Sequence, residues 1–208
     1  MSICIDVIPS IERIPTTGEL AAETESILEG LAGNPLVEEI WKRDGVSPKG
    51  VLVELLEEMP DEAEGSKRCS DPLLLLSMDG YSYGWLSADN YKIGFDFYFD
   101  SVERDGDADF FREFIGDDMA SLARERGKLH DFPFKQASCL GYRWYMRGRV
   151  GRPRSTWLLA GVAATALAHL TAGILFSDDG GADYERMPEA PDAFLEWFPS
   201  WCMDEWDC

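Results

Sequence analysis

Twenty consecutive uncharged residues, WLLAGVAATALAHLTAGILF from Trp157 to Phe176, constrain this chain more than any other feature. A run of that length either crosses a bilayer or is buried on most sides. Arginines precede it and acids follow it, which imitates the positive-inside asymmetry of a membrane span. Its composition argues the other way, because Ala and Gly dominate and His169 is expensive in hydrocarbon. The run therefore divides into a buried helix over 155–170 with Ser155 as N-cap, a break at Gly173, and a short strand over 173–176. The sequence SDDGG from Ser177 then reads as a turn. Ala160, Gly161, Ala163 and Ala164 would let the helix approach a sheet or another helix closely. No membrane partner is expected.

The run lies inside a wider block, residues 132–177, that contains no acid and carries Lys135, Arg143, Arg147, Arg149, Arg152 and Arg154. The 208 residues include 39 acids against 19 Lys and Arg, a net charge of −20. A background of −26 thus surrounds a block of +6. Two arrangements fit: a dedicated basic docking patch, or arginines that face acidic neighbours in ordinary surface pairs. The overall acidity opposes nucleic acid and anionic membranes as partners, since both reward clustered Lys and Arg. Seven Trp and eleven Phe exclude an acidic disordered chain and require a core.

Asp6 and Glu12 interrupt the N-terminal twenty residues, so no secretory signal is expected. Cys4, Cys69, Cys139, Cys202 and Cys208 are widely spaced and odd in number, the pattern of reduced thiols in a cytoplasmic protein. A Cys202–Cys208 pair is geometrically allowed but nothing requires it.

Alternation predicts strands over 2–8, 91–99 and 139–149. In the second, Tyr91, Ile93, Phe95, Phe97 and Phe99 point one way. In the third, Tyr142, Trp144 and Met146 oppose Arg143, Tyr145 and Arg147, and Cys139 falls inside the pattern as a small buried hydrophobe. The apolar run 73–78 has strand length and ends at the Asp79–Gly80 turn signal. Helices are predicted from Thr17, as cap, to about Leu31, from Asn34–Pro35 through Trp41, over 49–59, and over 107–126 with Gly116 as a weak point. The polar stretch 60–70 reads as an exposed loop. Helices separating isolated strands give a single α+β domain, its sheet mainly antiparallel or mixed, with α/β as the competing class.

Chemical motifs are sparse. There is no phosphate-binding glycine loop, no HExxH and no GxSxG. Two histidines, His130 and His169, exclude a multi-histidine metal site. His130 reads as a surface loop residue, and His169 as a buried or interface residue with one hydrogen bond. Asp178 and Asp179, with Asp183, resemble ligands at the mouth of a cation site, but DDGG is equally a solvent-facing turn. Asp96 and Asp100 could form an acid pair, although i and i+4 on a strand lie about 13 Å apart. A small carboxylate-dependent or metal-dependent enzyme is therefore the alternative function, and an assembly or regulatory subunit a third. No catalytic residue, metal or cofactor is assigned.

The composition favours protein recognition. Large net charge steers an electropositive partner, and aromatic groups supply desolvated anchors. The candidates are Tyr81, Tyr83 and Trp85 around Gly80 and Gly84, and Asp178, Asp179, Asp183, Glu196, Trp201, Asp204, Glu205, Trp206 and Asp207 in the acidic, aromatic C-terminal segment. Trp197 reads as core, and Trp206 as the more exposed anchor.

The order of the C-terminal region is an Ala-rich helix, TAGILFSDDG, then a Pro-punctuated acidic segment ending in FLEWF. It resembles small bacterial immunity proteins, which protect a producing cell from its own polymorphic or contact-delivered toxin. The resemblance spans residues 155–198, together with the aromatic strand 91–99. It implies a cytoplasmic protein without catalysis of its own that blocks a cognate toxin at or near the toxin's active site. An acidic inhibitor would suit an electropositive cleft as a phosphate surrogate. A peptidase, lipase or ADP-ribosylating toxin fits the resemblance equally well.

Overall fold

The computed structural model describes residues 2–57, 67–102, 108–149, 151–177, 183 and 185–204. Seven strands among them form one sheet in the order β3-β2-β4-β5-β6-β1-β7: β1 (Ser2–Ile8), β2 (Leu52–Glu57), β3 (Lys67–Cys69), β4 (Tyr83–Ala88), β5 (Ile93–Ser101), β6 (Tyr142–Arg149) and β7 (Ile174–Phe176). Every neighbouring pair is antiparallel, so the α+β expectation holds and α/β does not.

Around the sheet lie α1 (Thr17–Gly30), α2 (Pro35–Asp44), a π-helical segment (Phe110–Asp118) that runs into α3 (Met119–Glu125), α4 (Phe134–Leu140), α5 (Arg154–Leu170) and α6 (Pro191–Asp204). The uncharged run supplies the centre of the molecule. Every residue of α5 from Ser155 to Ala168 is buried. It packs against β1, β5, β6 and β7 on one side and against α1, α2 and α6 on the others. That is how a helix apolar all round is satisfied without lipid. No helix among the described residues is long and apolar enough to cross a membrane.

Ser155 does not cap α5 through its side chain. Pro153 occupies the cap position, and the Ser155 N–H donates instead to Asp44 Oδ2 of α2, 2.8 Å away. The carboxylate meets the positive end of the helix, so a remote residue performs the capping. At α1, Thr16 rather than Thr17 is the cap. Its hydroxyl accepts from Glu19 N–H at 3.1 Å, while Glu19 accepts from Thr16 N–H at 2.8 Å. That backbone hydrogen bond is the main reason the Glu19 carboxyl sits below the usual carboxylate range.

Several expected elements differ, and residues Lys67–Cys69 of the stretch expected as an exposed loop form β3, paired with β2. The described part of 49–59 gives no helix: Val53, Glu54, Leu55 and Leu56 are all buried in β2, whose two faces are both covered. The apolar run 73–78 forms turns and a single bridge, Thr16 to Leu75. Leu74 O accepts from Thr17 N–H at the start of α1 and Leu76 O accepts from Trp144 Nε1, so these carbonyls are not available to a ladder. Leu73 and Leu75 are left exposed. Cys139 belongs to α4, not to a strand, and is exposed; β6 begins only after Gly141 breaks the helix with φ of 68°. The helix expected over 107–126 forms around Gly116 as a wider π turn, with Met119 N–H donating to Phe114 O. Tyr91 precedes β5 in a turn at φ of 67°, and the alternation starts with Ile93.

The sheet has two unlike faces. Ile5, Met146, Phe97 and Leu86 lie on the face toward α5, where a side chain at Gly148 would overlap the Trp157 ring. The alternate residues of the same strands form the outer face.

Candidate functional site: the outer sheet face and the cavity at its end

Register places Leu56, Tyr83, Tyr98, Tyr145, Asp6 and Phe176 in one row across the outer face. Three of these are tyrosines on adjacent strands. The Tyr83 and Tyr98 rings lie 6.0 Å apart, and Tyr98 and Tyr145 stack at 5.0 Å. All three are partly exposed. At the β7 end the row is closed over by Phe114, whose ring meets Phe176 edge-on.

Arg143 holds the row in place. Its Nη1 donates to Asp6 Oδ1 at 2.8 Å, its Nε donates to Asp100 Oδ2 at 3.1 Å, and its guanidinium lies 5.4 Å from the Tyr145 ring centre. Asp6 is only 1% exposed, so this pairing is what makes its burial tolerable. The Tyr145 phenol is pushed up to about 12, first by burial and then by the charge of Asp100; Arg143 and Arg147 offset part of this. It therefore remains a neutral hydrogen-bonding group at physiological pH.

A second row runs Glu54, Trp85, Asp96, Arg147 and Cys4. Trp85 lies over Gly94, where a Cβ would collide with the indole. Its Nε1 is buried without a hydrogen-bond partner among the described residues. Asp96, opposite Trp85, has its carboxyl raised by desolvation, with the charge of Arg152 partly opposing. Arg152 itself reaches Gly94 O at 3.4 Å.

Of the acid-free block, Arg143 is paired with Asp6 and Asp100 on this face, and the charge of Arg152 acts on Asp96. Asp96 and Asp100 share the face too, yet each is opposed by an arginine and they do not converge as an acid pair.

Tyr81 takes a different position. It lines a cavity of about 1100 Å³ at the end of the sheet where β2 and β5 finish and β4 and β6 begin. A hydrogen bond with Cys69 raises its phenol. Cys139 lines the same cavity. A smaller cavity of about 700 Å³ between α3 and α4 is lined by Arg124, His130 and Lys135.

The described C-terminal candidates do not join Tyr81, Tyr83 and Trp85. β4 and β7 are four strand spacings apart, about 19 Å, and α6 packs behind α5. Trp201 is buried at 8% exposure, stacked 5.3 Å from Phe198, which in turn stacks 4.4 Å from Phe194. It belongs to the core of α5 and α6, and so is corrected from anchor to packing residue. Trp197, expected as core, is partly buried beside them, 5.0 Å from Phe194.

Glu196 and Asp204 are exposed on α6. Asp183 pairs with Arg186 at 2.9 Å, and the Arg186 guanidinium lies over Trp197. Asp178, Asp179, Glu205, Trp206 and Asp207 lie outside the described residues. Among the described residues no three His, Cys, Asp or Glu side chains are grouped to hold a metal. His169, expected with one partner, has two: Nδ1 is 3.2 Å from Glu23 Oε1 and Nε2 is 2.9 Å from Asp192 Oδ1, linking α1, α5 and α6.

Tyr98, Tyr145 and Arg143 are the site residues that the sequence did not single out. Their signal was present as alternation, but only register aligns them with Tyr83. No known family model matches the chain, and neither a curated protein nor a solved structure matches it.

Proposed function

We propose that this chain is an immunity protein that binds and neutralises a cognate bacterial toxin, with the outer sheet face as its binding surface. The observation that carries the reading is the tyrosine row Tyr83–Tyr98–Tyr145, with Trp85 in the next row. It is a pre-stacked aromatic platform on a rigid sheet, partly exposed and bordered by arginines and carboxylates. Tyr, Trp and Arg dominate the energetics of protein interfaces because they bury much area while losing little entropy. The resemblance of residues 155–198 to immunity proteins supports the class, and the net charge of −20 suits steering toward an electropositive toxin.

Charge acts here at long range, not as a uniform acidic stamp, because the outer face carries both signs. Rising salt is therefore expected to slow association and leave dissociation nearly unchanged.

The test is complex formation with the toxin encoded beside this gene, and survival of cells that express that toxin. The unsubstituted chain should bind and rescue. Trp85→Ala and Tyr98→Ala should each weaken binding by about 2 kcal/mol, roughly thirty-fold in Kd. A chain that neither binds nor rescues would remove the reading, and full binding by both variants would move the interface elsewhere.

A further inference from the structure

We infer that the cavity at the end of the sheet receives a projecting loop of the bound partner, with an arginine side chain at its tip. The inference rests on the reading of the chain as a toxin-binding protein and deepens it. At about 1100 Å³ the cavity lies at the upper limit of ligand pockets, about 300–1000 Å³, so it accommodates several side chains rather than one. Tyr81, Phe99, Phe111 and Tyr142 give it aromatic walls. Phe99 and Tyr142 rings lie 5.6 Å apart. The Tyr142 hydroxyl is fixed, donating to Ile11 O at 3.2 Å and accepting from Arg13 N–H at 3.3 Å.

Charge complementarity names the occupant. Glu12, Glu57 and Asp79 line the cavity, and no Lys, Arg or His does so among the described lining residues. Glu57 meets Lys67 at 3.6 Å, whose side chain is 70% exposed. So solvated a pair contributes little and leaves the cavity negative. The Arg13 guanidinium is engaged elsewhere, with Glu19 and Leu170 O. Aromatic faces beside carboxylates favour a planar guanidinium, which stacks on rings and donates two parallel hydrogen bonds to a carboxylate. Tyr81 and Tyr83 are two residues apart, about 7 Å along an extended chain; Phe99 and Tyr142 have the alternation of the α5 face, so a partner seated on the tyrosine row reaches the cavity by a loop that passes over the end of the sheet.

Cys139 lines the cavity, and Cys4 lies on the outer face in the row of Arg147, which gives two thiol reporters in one molecule. In the full chain at low salt, the rates of a cationic and an anionic methanethiosulfonate are compared at each thiol by peptide mass spectrometry, relative to the denatured chain. Cys139 should favour the cationic reagent over the anionic one by about tenfold more than Cys4 does, the scale of field focusing in a charged cleft. Molar salt and the triple substitution Glu12→Gln, Glu57→Gln, Asp79→Asn should each erase that difference.

Agmatine, a free guanidinium, should protect Cys139 but not Cys4 from uncharged iodoacetamide in a saturable way. Equal reagent preference at the two thiols, or no selective protection by agmatine, overturns the proposal. Should the toxin complex form while Cys139 stays as reactive as in the free chain, the cavity assignment fails and the immunity reading survives. Should no complex form, the immunity reading fails, and with it the partner loop, whatever agmatine does.

Discussion

Strand β6 contributes to two surfaces that obey different rules. Toward α5 it presents Trp144 and Met146, at 0% and 1% exposure, against a close-packed layer where Gly148 makes room for Trp157 and Gly161 for Phe198. Away from α5 the same strand presents Arg143, Tyr145 and Arg147, opposite Asp100, Tyr98 and Asp96. The helix side is apolar and interlocked, so each atom there contributes by exclusion of water and by contact. The outer side keeps a buried carboxylate, a desolvated acid and an indole N–H without a partner among the described residues, each costly unless something meets it. A sheet can hold both because its side chains alternate: stability is concentrated on one face and polar, aromatic groups are held rigidly on the other.

The largest test of that division is a pair of truncations. Phe198→Ala removes a fully buried ring from the α5–α6 stack and should cost about 3–5 kcal/mol in urea unfolding. Tyr98→Ala, in the middle of the tyrosine row, should cost about 1 kcal/mol, the scale of one cross-strand aromatic pair. If Tyr98→Ala proves as damaging as Phe198→Ala, the outer face is a second core and its aromatic row loses its claim to be a recognition surface.

Arg143→Leu should come next, at about 3 kcal/mol, because it leaves Asp6 buried and uncompensated. The companion Asp6→Asn/Arg143→Leu should recover much of that loss. A cost below about 1 kcal/mol for the single substitution would mean that water already reaches Asp6, and that the boundary between the two faces is less sharp than the 1% exposure of Asp6 implies.

Where one face of an element is clearly apolar, the sequence was sufficient. Alternation predicted strands over 91–99 and 139–149, and the structure keeps it over Ile93–Ser101 and Tyr142–Arg149; the uncharged run as a buried helix followed by a strand, and the α+β class, could also be read from it. The failures share a cause, which is that local pattern does not say where backbone hydrogen bonds go. Val51, Leu52, Leu55 and Leu56 fit a helical stripe as well as a strand covered on both sides. The run 73–78 has strand composition, yet Leu74 O is taken by the N-terminus of α1 and Leu76 O by the Trp144 indole.

The site suffered similarly. Tyr83 and Trp85 were recognisable as aromatics beside glycines, but Tyr98 and Tyr145 join them only through register across three strands. Trp201 was misjudged because charge beside an aromatic residue does not reveal which side of its helix faces α5.

The smallest expected effect is the most discriminating. Desolvation raises the Asp96 carboxyl, with Arg152 only partly offsetting it. In the window between the unfolded value, about 3.9, and this raised value, the native chain binds more protons than the unfolded chain. Stability therefore falls as pH rises through that window, and the penalty is fully present above it. Asp96→Asn should accordingly be more stable at pH 7, by about 0.5 kcal/mol because water screens a half-buried carboxylate, and the gain should vanish near pH 3. If the same substitution weakens the toxin complex while it stabilises the free protein, Asp96 is retained for the partner at the expense of the fold, which is the trade expected of a binding surface. A stability change of the opposite sign would mean that Arg152 outweighs desolvation and that Asp96 is a structural ion pair.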